Sequence, residues 1–200
     1  MFRCSISLVR LNVTGQGSKD LDRLEDLKAY FNSGSLLESM ENLVDFATFH
    51  IDWSDEQDRR IPSECAKNCD ILTTRYKEIS YFQSSEQFFG HKCFVILGFK
   101  LFLGGCDNYF MSNWRELCGL GNMLLFLSNK FQVGKVMLLQ KVDNLESSGD
   151  MFDFMVMVEV FYRMDILVYL LDYVQRTKHS RNTGHVSVYR EVQVSKVSNC

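Results

Sequence analysis

The two ends of the chain alternate. Phe2, Cys4, Ile6 and Leu8 share one parity, with Arg3, Ser5 and Ser7 between them, which is the period of a strand. The tail repeats the pattern: Val186, Val188, Val192 and Val194 fall on one side, and His185, Ser187, Tyr189, Glu191, Gln193 and Ser195 on the other. This spacing predicts one strand within residues 1–14 and another over 185–197. Two short strands alone are marginal in water, so they are expected to pair with each other across a helical body or to extend through a partner.

Between them, residues 18–176 read as helical. Ser18 precedes Leu21, Leu24, Leu27 and Phe31, predicting a helix over 19–31. Ser35 and Glu38 form a capping box for a second helix, Leu36 to His50. After Pro62, the residues Cys65, Cys69, Leu72, Tyr76 and Ile79 recur at four- and three-residue steps and make a continuous helical stripe. Ser84 and Gln87 cap an apolar segment, Phe88 to Leu103, read as a central helix; a buried strand over Cys93–Leu97 is the alternative. Further helices are predicted over Tyr109–Phe131, weakened at Gly119 and Gly121, over Lys135–Asn144, and over Met151–Arg176 behind Asp150. The expected fold is therefore a mainly α, single-domain bundle of six or seven helices with short strands at the N- and C-termini.

Composition fits long uninterrupted elements, because the chain has one proline, and a Phe-rich core, because it has sixteen phenylalanines. The net charge of −3 argues against nucleic-acid binding through bulk charge. Its distribution is polar: residues 20–58 hold eleven acidic and two basic side chains, whereas 173–200 hold five basic and one acidic. Seven cysteines, an odd number, and an N-terminus without a signal-like apolar run predict a reducing, cytoplasmic setting. The longest uncharged apolar stretch, Leu117 to Asn129, is too short to span a bilayer.

Candidate chemistry is sparse. Cys65, Cys69, His91 and Cys93 supply the donor types of a tetrahedral zinc site, although their spacing equally suits buried thiols. Arg176, Lys178, Arg181 and Arg190 form the basic cluster that would contact phosphates or nucleic acid; cations at a helix C-terminus are its simpler explanation. His50 and Asp52 open a carboxylate-rich loop and are the candidates for hydrolytic chemistry. The pair Gly119 and Gly121 lacks the rest of a dinucleotide fingerprint, and no P-loop or metalloprotease motif is present. Trp53, Trp114, Val188 and Val192 are the candidate protein-interface residues.

The leading expectation is a non-enzymatic interaction protein, regulatory and self-associating through helical faces or terminal strands, with no cofactor and with itself or another protein as partner. The second is a small zinc-stabilised RNA-binding regulator of the viral accessory type, using the cysteine–histidine set for zinc and the basic cluster for phosphates.

Overall fold

The computed structural model describes residues 3–11, 34–41, 48–52, 69–101, 107–128, 130–142, 152–180 and 184–192. Eight strands run through them: β1 (Arg3–Leu11), β2 (Ser35–Ser39), β3 (Thr48–Asp52), β4 (Cys69–Gln83), β5 (His91–Phe99), β6 (Gln132–Lys141), β7 (Phe154–Tyr162) and β8 (His185–Val192). Helices α1 (Asp107–Leu117) and α2 (Leu120–Ser128) lie between β5 and β6. A 3-10 turn, Met164–Ile166, leads from β7 into α3 (Leu167–Ser180).

The strands close into one antiparallel barrel in the order β1-β3-β2-β8-β5-β7-β6-β4. Each half of the chain follows the same rule, β4-β1-β3-β2 and β8-β5-β7-β6, and the second half has the β-α-β-β-α-β order of a ferredoxin-like unit. The halves meet at two seams, β2–β8 and β4–β6.

Alternation along the strands separates two apolar layers. Cys4, Ile6, Leu37, Phe49, Ile51, Tyr76, Phe94, Ile96, Met137, Leu139, Met155, Met157 and Tyr189 fill the barrel. An eight-stranded barrel has an interior about wide enough for side chains to fill, and flexible methionines fit such a space well. The opposite faces of β5 to β8 carry Val95, Leu97, Val136, Leu138, Val156, Val158, Val186 and Val188, covered by Phe110, Trp114, Met123, Leu127, Leu170 and Val174 from the three helices.

The mainly α bundle, and with it the all-α helical description, is thus corrected. The helical stripe from Cys69 to Ile79 belongs to β4, the central apolar segment is β5, the proposed helix at Lys135 is β6, and the first third of the longest helix is β7. β5 and β7 are buried on both faces, one inside the barrel and one beneath helices, so their sequences do not alternate. The segment Leu36–His50 contains β2 and the start of β3 rather than a helix. The single helix expected over Tyr109–Phe131, weakened at Gly119 and Gly121, is two: Gly119, with φ 59°, separates α1 from α2, and Gly121 lies within α2. The terminal strands exist, but they do not pair with each other: β1 lies between β3 and β4, and β8 between β2 and β5. The predicted helix over 19–31 lies outside the described residues.

Candidate functional site

The two mouths of the barrel are built differently. At one, β5 ends at Gly98–Phe99 and β8 begins at His185. Tyr189, four residues along β8, places its hydroxyl 2.8 Å from His185 Nε2. The Phe49 ring meets Tyr189 edge-on at 4.7 Å and lies 5.9 Å from the imidazole. Phe152 stacks on the imidazole at 5.7 Å and is itself 4% exposed. Glycine at position 98 makes this possible, because a β-carbon there would come within 2.6 Å of the Phe152 ring. The backbone beneath Phe152 is fixed: Tyr76 Oη donates to its carbonyl at 2.7 Å, and the Asp153 carboxylate accepts the Leu101 N–H at 2.7 Å. Burial, reinforced by the charge of Asp153, raises the Tyr76 hydroxyl, which stays protonated and donating. This mouth is sealed by rings.

The other mouth is polar inside and apolar around its rim. Lys92 Nζ lies 2.6 Å from Glu191, which also accepts a 2.7 Å bond from Ser35 Oγ. Burial acts to raise the Glu191 carboxyl, but the hydrogen bonds from Lys92 and Ser35 and the lysine charge outweigh it and hold the group below its ordinary value. Lys135 pairs with Glu78 at 3.8 Å and sits 5.5 Å from the Tyr81 ring. The connection from β4 to β5 turns at Gly90, whose φ of 130° suits glycine, against the carbonyl of Tyr162. Phe88 packs on Phe161 at 5.4 Å, whereas its neighbour Phe89 is 83% exposed. Tyr81 and Phe82 at the end of β4, and Met164, Val168 and Tyr169 where β7 passes into α3, are exposed at this same end. Lys130 stacks on Tyr169 at 3.5 Å.

The sequence-predicted residues are scattered. Cys65, Trp53 and Arg181 lie outside the described residues, and Cys69 starts β4. His91 is at the surface beside Tyr162, while Cys93 is fully buried. Burial pushes the Cys93 thiol up to about 12, and the Cys4 thiol likewise, there with help from Glu78, so neither is a nucleophile near neutrality. Among the described residues no three His, Cys, Asp or Glu side chains gather where a metal ion would sit. In the basic cluster, Arg176 pairs with Asp172, Arg190 makes two bonds to Glu38, and Lys178 is bound to Glu41. His50 and Asp52 share the outward side of β3, His50 being 7% exposed. Trp114 and Val188 are core residues, and Val192 is half-buried at the end of β8. Sequence reasoning missed Phe82, Phe89, Phe152 and Glu41; the doublet Phe88-Phe89 before Gly90 was the available signal for the apolar rim. Among the described residues no helix is long and apolar enough to cross a membrane.

A family model described as "Domain of unknown function (DUF7153)" matches residues 31–191. No curated protein matches. Among solved structures, a protein of Fusobacterium nucleatum named as a candidate monooxygenase is 11% identical, with 96% of this chain and 93% of that one covered and a TM-score of 0.43. The haem-degrading enzyme LmHde of Listeria monocytogenes is 10% identical, with 94% and 98% covered and a TM-score of 0.38. A haem-binding protein of Thermus thermophilus is 10% identical, with 96% and 92% covered and a TM-score of 0.37. Likeness at this level carries no inference about what the chain binds or does.

The expectation of no cofactor, with zinc as the alternative, is withdrawn: two of these solved structures are named for haem, and the zinc set is not assembled, because Cys93 is buried, His91 lies at the surface and Cys65 is outside the described residues. The described residues do not form a haem site. His185 is enclosed by Phe49, Phe152 and Tyr189, and apolar side chains fill both the barrel and the helix–sheet layer.

Proposed function

Because the chain belongs to the family DUF7153, a domain of unknown function, we propose from its own geometry that it is a self-associating interaction protein, the contact being made by the polar mouth of the barrel, where β4 connects to β5. The supporting observation is the rim itself: Phe89 at 83% exposure, with Tyr81, Phe82, Met164, Val168 and Tyr169 exposed at the same end. Solvent-exposed aromatic and apolar side chains grouped in this way characterise contact surfaces. Charge favours a second copy as the partner. Lys92 with Glu191, Lys135 with Glu78 and Arg163 with Asp165 neutralise one another, so these three pairs bring no net charge to the contact. The terminal strands are left out of this contact, because β1 and β8 each have a strand neighbour on both sides in the closed barrel.

Light scattering on the purified chain, wild type against the double variant Phe82→Ser/Phe89→Ser, tests the reading. A wild-type dimer that becomes a monomer with unchanged circular dichroism supports it; a monomeric wild type, or a dimer indifferent to the substitutions, overturns it. Haemin titrated into the same wild-type sample is the control that the neighbours' names suggest. A saturable one-to-one absorbance band would put a haem-dependent activity ahead of self-association.

A further inference from the structure

The two seams of the barrel are unequal. β4 and β6 are registered at seven positions, from Tyr76 opposite Lys141 to Gln83 opposite Lys135. β2 has five residues and meets β8 at only four, Leu36 to Ser39. One further main-chain bond follows, from Met40 N–H to the Val188 carbonyl. The chain then bends: Ser39 Oγ accepts the Glu41 N–H at 3.1 Å and donates to the Glu41 carbonyl at 3.2 Å.

That bend delivers the Glu41 side chain, 3% exposed, into the groove between β8 and α3. Its Oε1 accepts the Val188 N–H at 3.0 Å and the Ser187 hydroxyl. Its Oε2 accepts Lys178 Nζ and Gln175 Nε2, both from α3. The carboxylate thus supplies the Val188 amide with the acceptor that the departing β2 backbone no longer offers, and ties in the helix that covers the seam.

We infer that Glu41 is a clasp closing the barrel at the β2–β8 seam, and that this seam, rather than β4–β6, is where the two halves part. Lys178 is the cationic half of the clasp. A buried carboxylate without its cation, or a half-buried ammonium without its carboxylate, is an uncompensated charge. Glu41→Gln splits the device cleanly: an amide oxygen still serves Val188 and Ser187, while its NH2 faces the donors of Lys178 and Gln175.

Hydrogen exchange read by mass spectrometry on the full chain tests this with Glu41→Gln, Lys178→Met and the double variant. The expected result is at least tenfold faster exchange in peptides covering β2 and β8, with β4 and β6 unchanged, and a double variant no faster than the quicker single one. Unchanged exchange at β2 and β8, or equal acceleration around the whole barrel, overturns the inference. Glu41→Ala is the harsher variant; if it does not fold, the volume-conserving Glu41→Gln still decides.

Discussion

At one mouth of the barrel Phe152 lies on Gly98 and His185, so that apolar rings exclude water; at the other, Lys92, Glu191 and Ser35 hold a polar interior while Phe89 and its neighbours face solvent. The same strands thus end once in close packing and once in paired charge. Packing converts to stability and exposed pairs hardly do, so the sealed mouth is expected to carry stability and the polar mouth to be free for contact.

The largest test of that contrast is Phe152→Ala, expected to cost about 3–5 kcal/mol in chemical denaturation because the ring cannot be replaced by collapse of a fixed backbone. Gly98→Ala forces a methyl into the same ring and is expected to cost about 1–3 kcal/mol. The double variant should cost less than the two combined, since the clash disappears with the ring; simple additivity would place the damage elsewhere.

Tyr76→Phe comes next, at about 1 kcal/mol, for the lost bond to the Phe152 carbonyl. Equilibrium unfolding at neutral pH measures it. An effect as large as that of Phe152→Ala would mean that the hydroxyl, not the ring, holds this mouth.

At the polar mouth the effects shrink and depend on pH. Glu191 is held below its ordinary value when folded, so its contribution is fully present above the unfolded carboxylate range and is lost as pH falls through the folded value. Wild type and Glu191→Gln should therefore differ modestly at neutral pH and converge on acidification, as followed by urea midpoints. A gap that widens on acidification would contradict the sign.

Phe89→Ser is the smallest, within about 0.5 kcal/mol, because the ring is exposed. A large loss of stability in the monomer would show that the rim is structural and remove the ground for self-association.

How much of this is legible in the sequence is clearest strand by strand. β1 and β8 alternate, and the period places them to within a few residues. β5 and β7, with Cys93 to Leu97 and Phe154 to Val158 apolar at every position, present a run without a period, from which helical length is wrongly inferred. In β4 the steps between Cys69, Leu72, Tyr76 and Ile79 imitate a helix because a buried polar residue, Thr74, occupies an inward position between Leu72 and Tyr76. The site is less legible still. Lys178 and Arg190 read as a free basic cluster, but Glu41 and Glu38, more than a hundred residues away, engage them.

By itself the sequence determined local matters: which segments are apolar, that glycines at 119 and 121 weaken a helix, that both ends alternate, and that Phe is abundant enough for a ring-filled core. Only the tertiary structure decided that the apolar runs are strands buried on two sides, that the terminal strands are built into a closed barrel, and which Phe is sealed in and which left in water. The reason is physical: side-chain period reports how many faces of an element are covered, and coverage is set by partners distant in the chain.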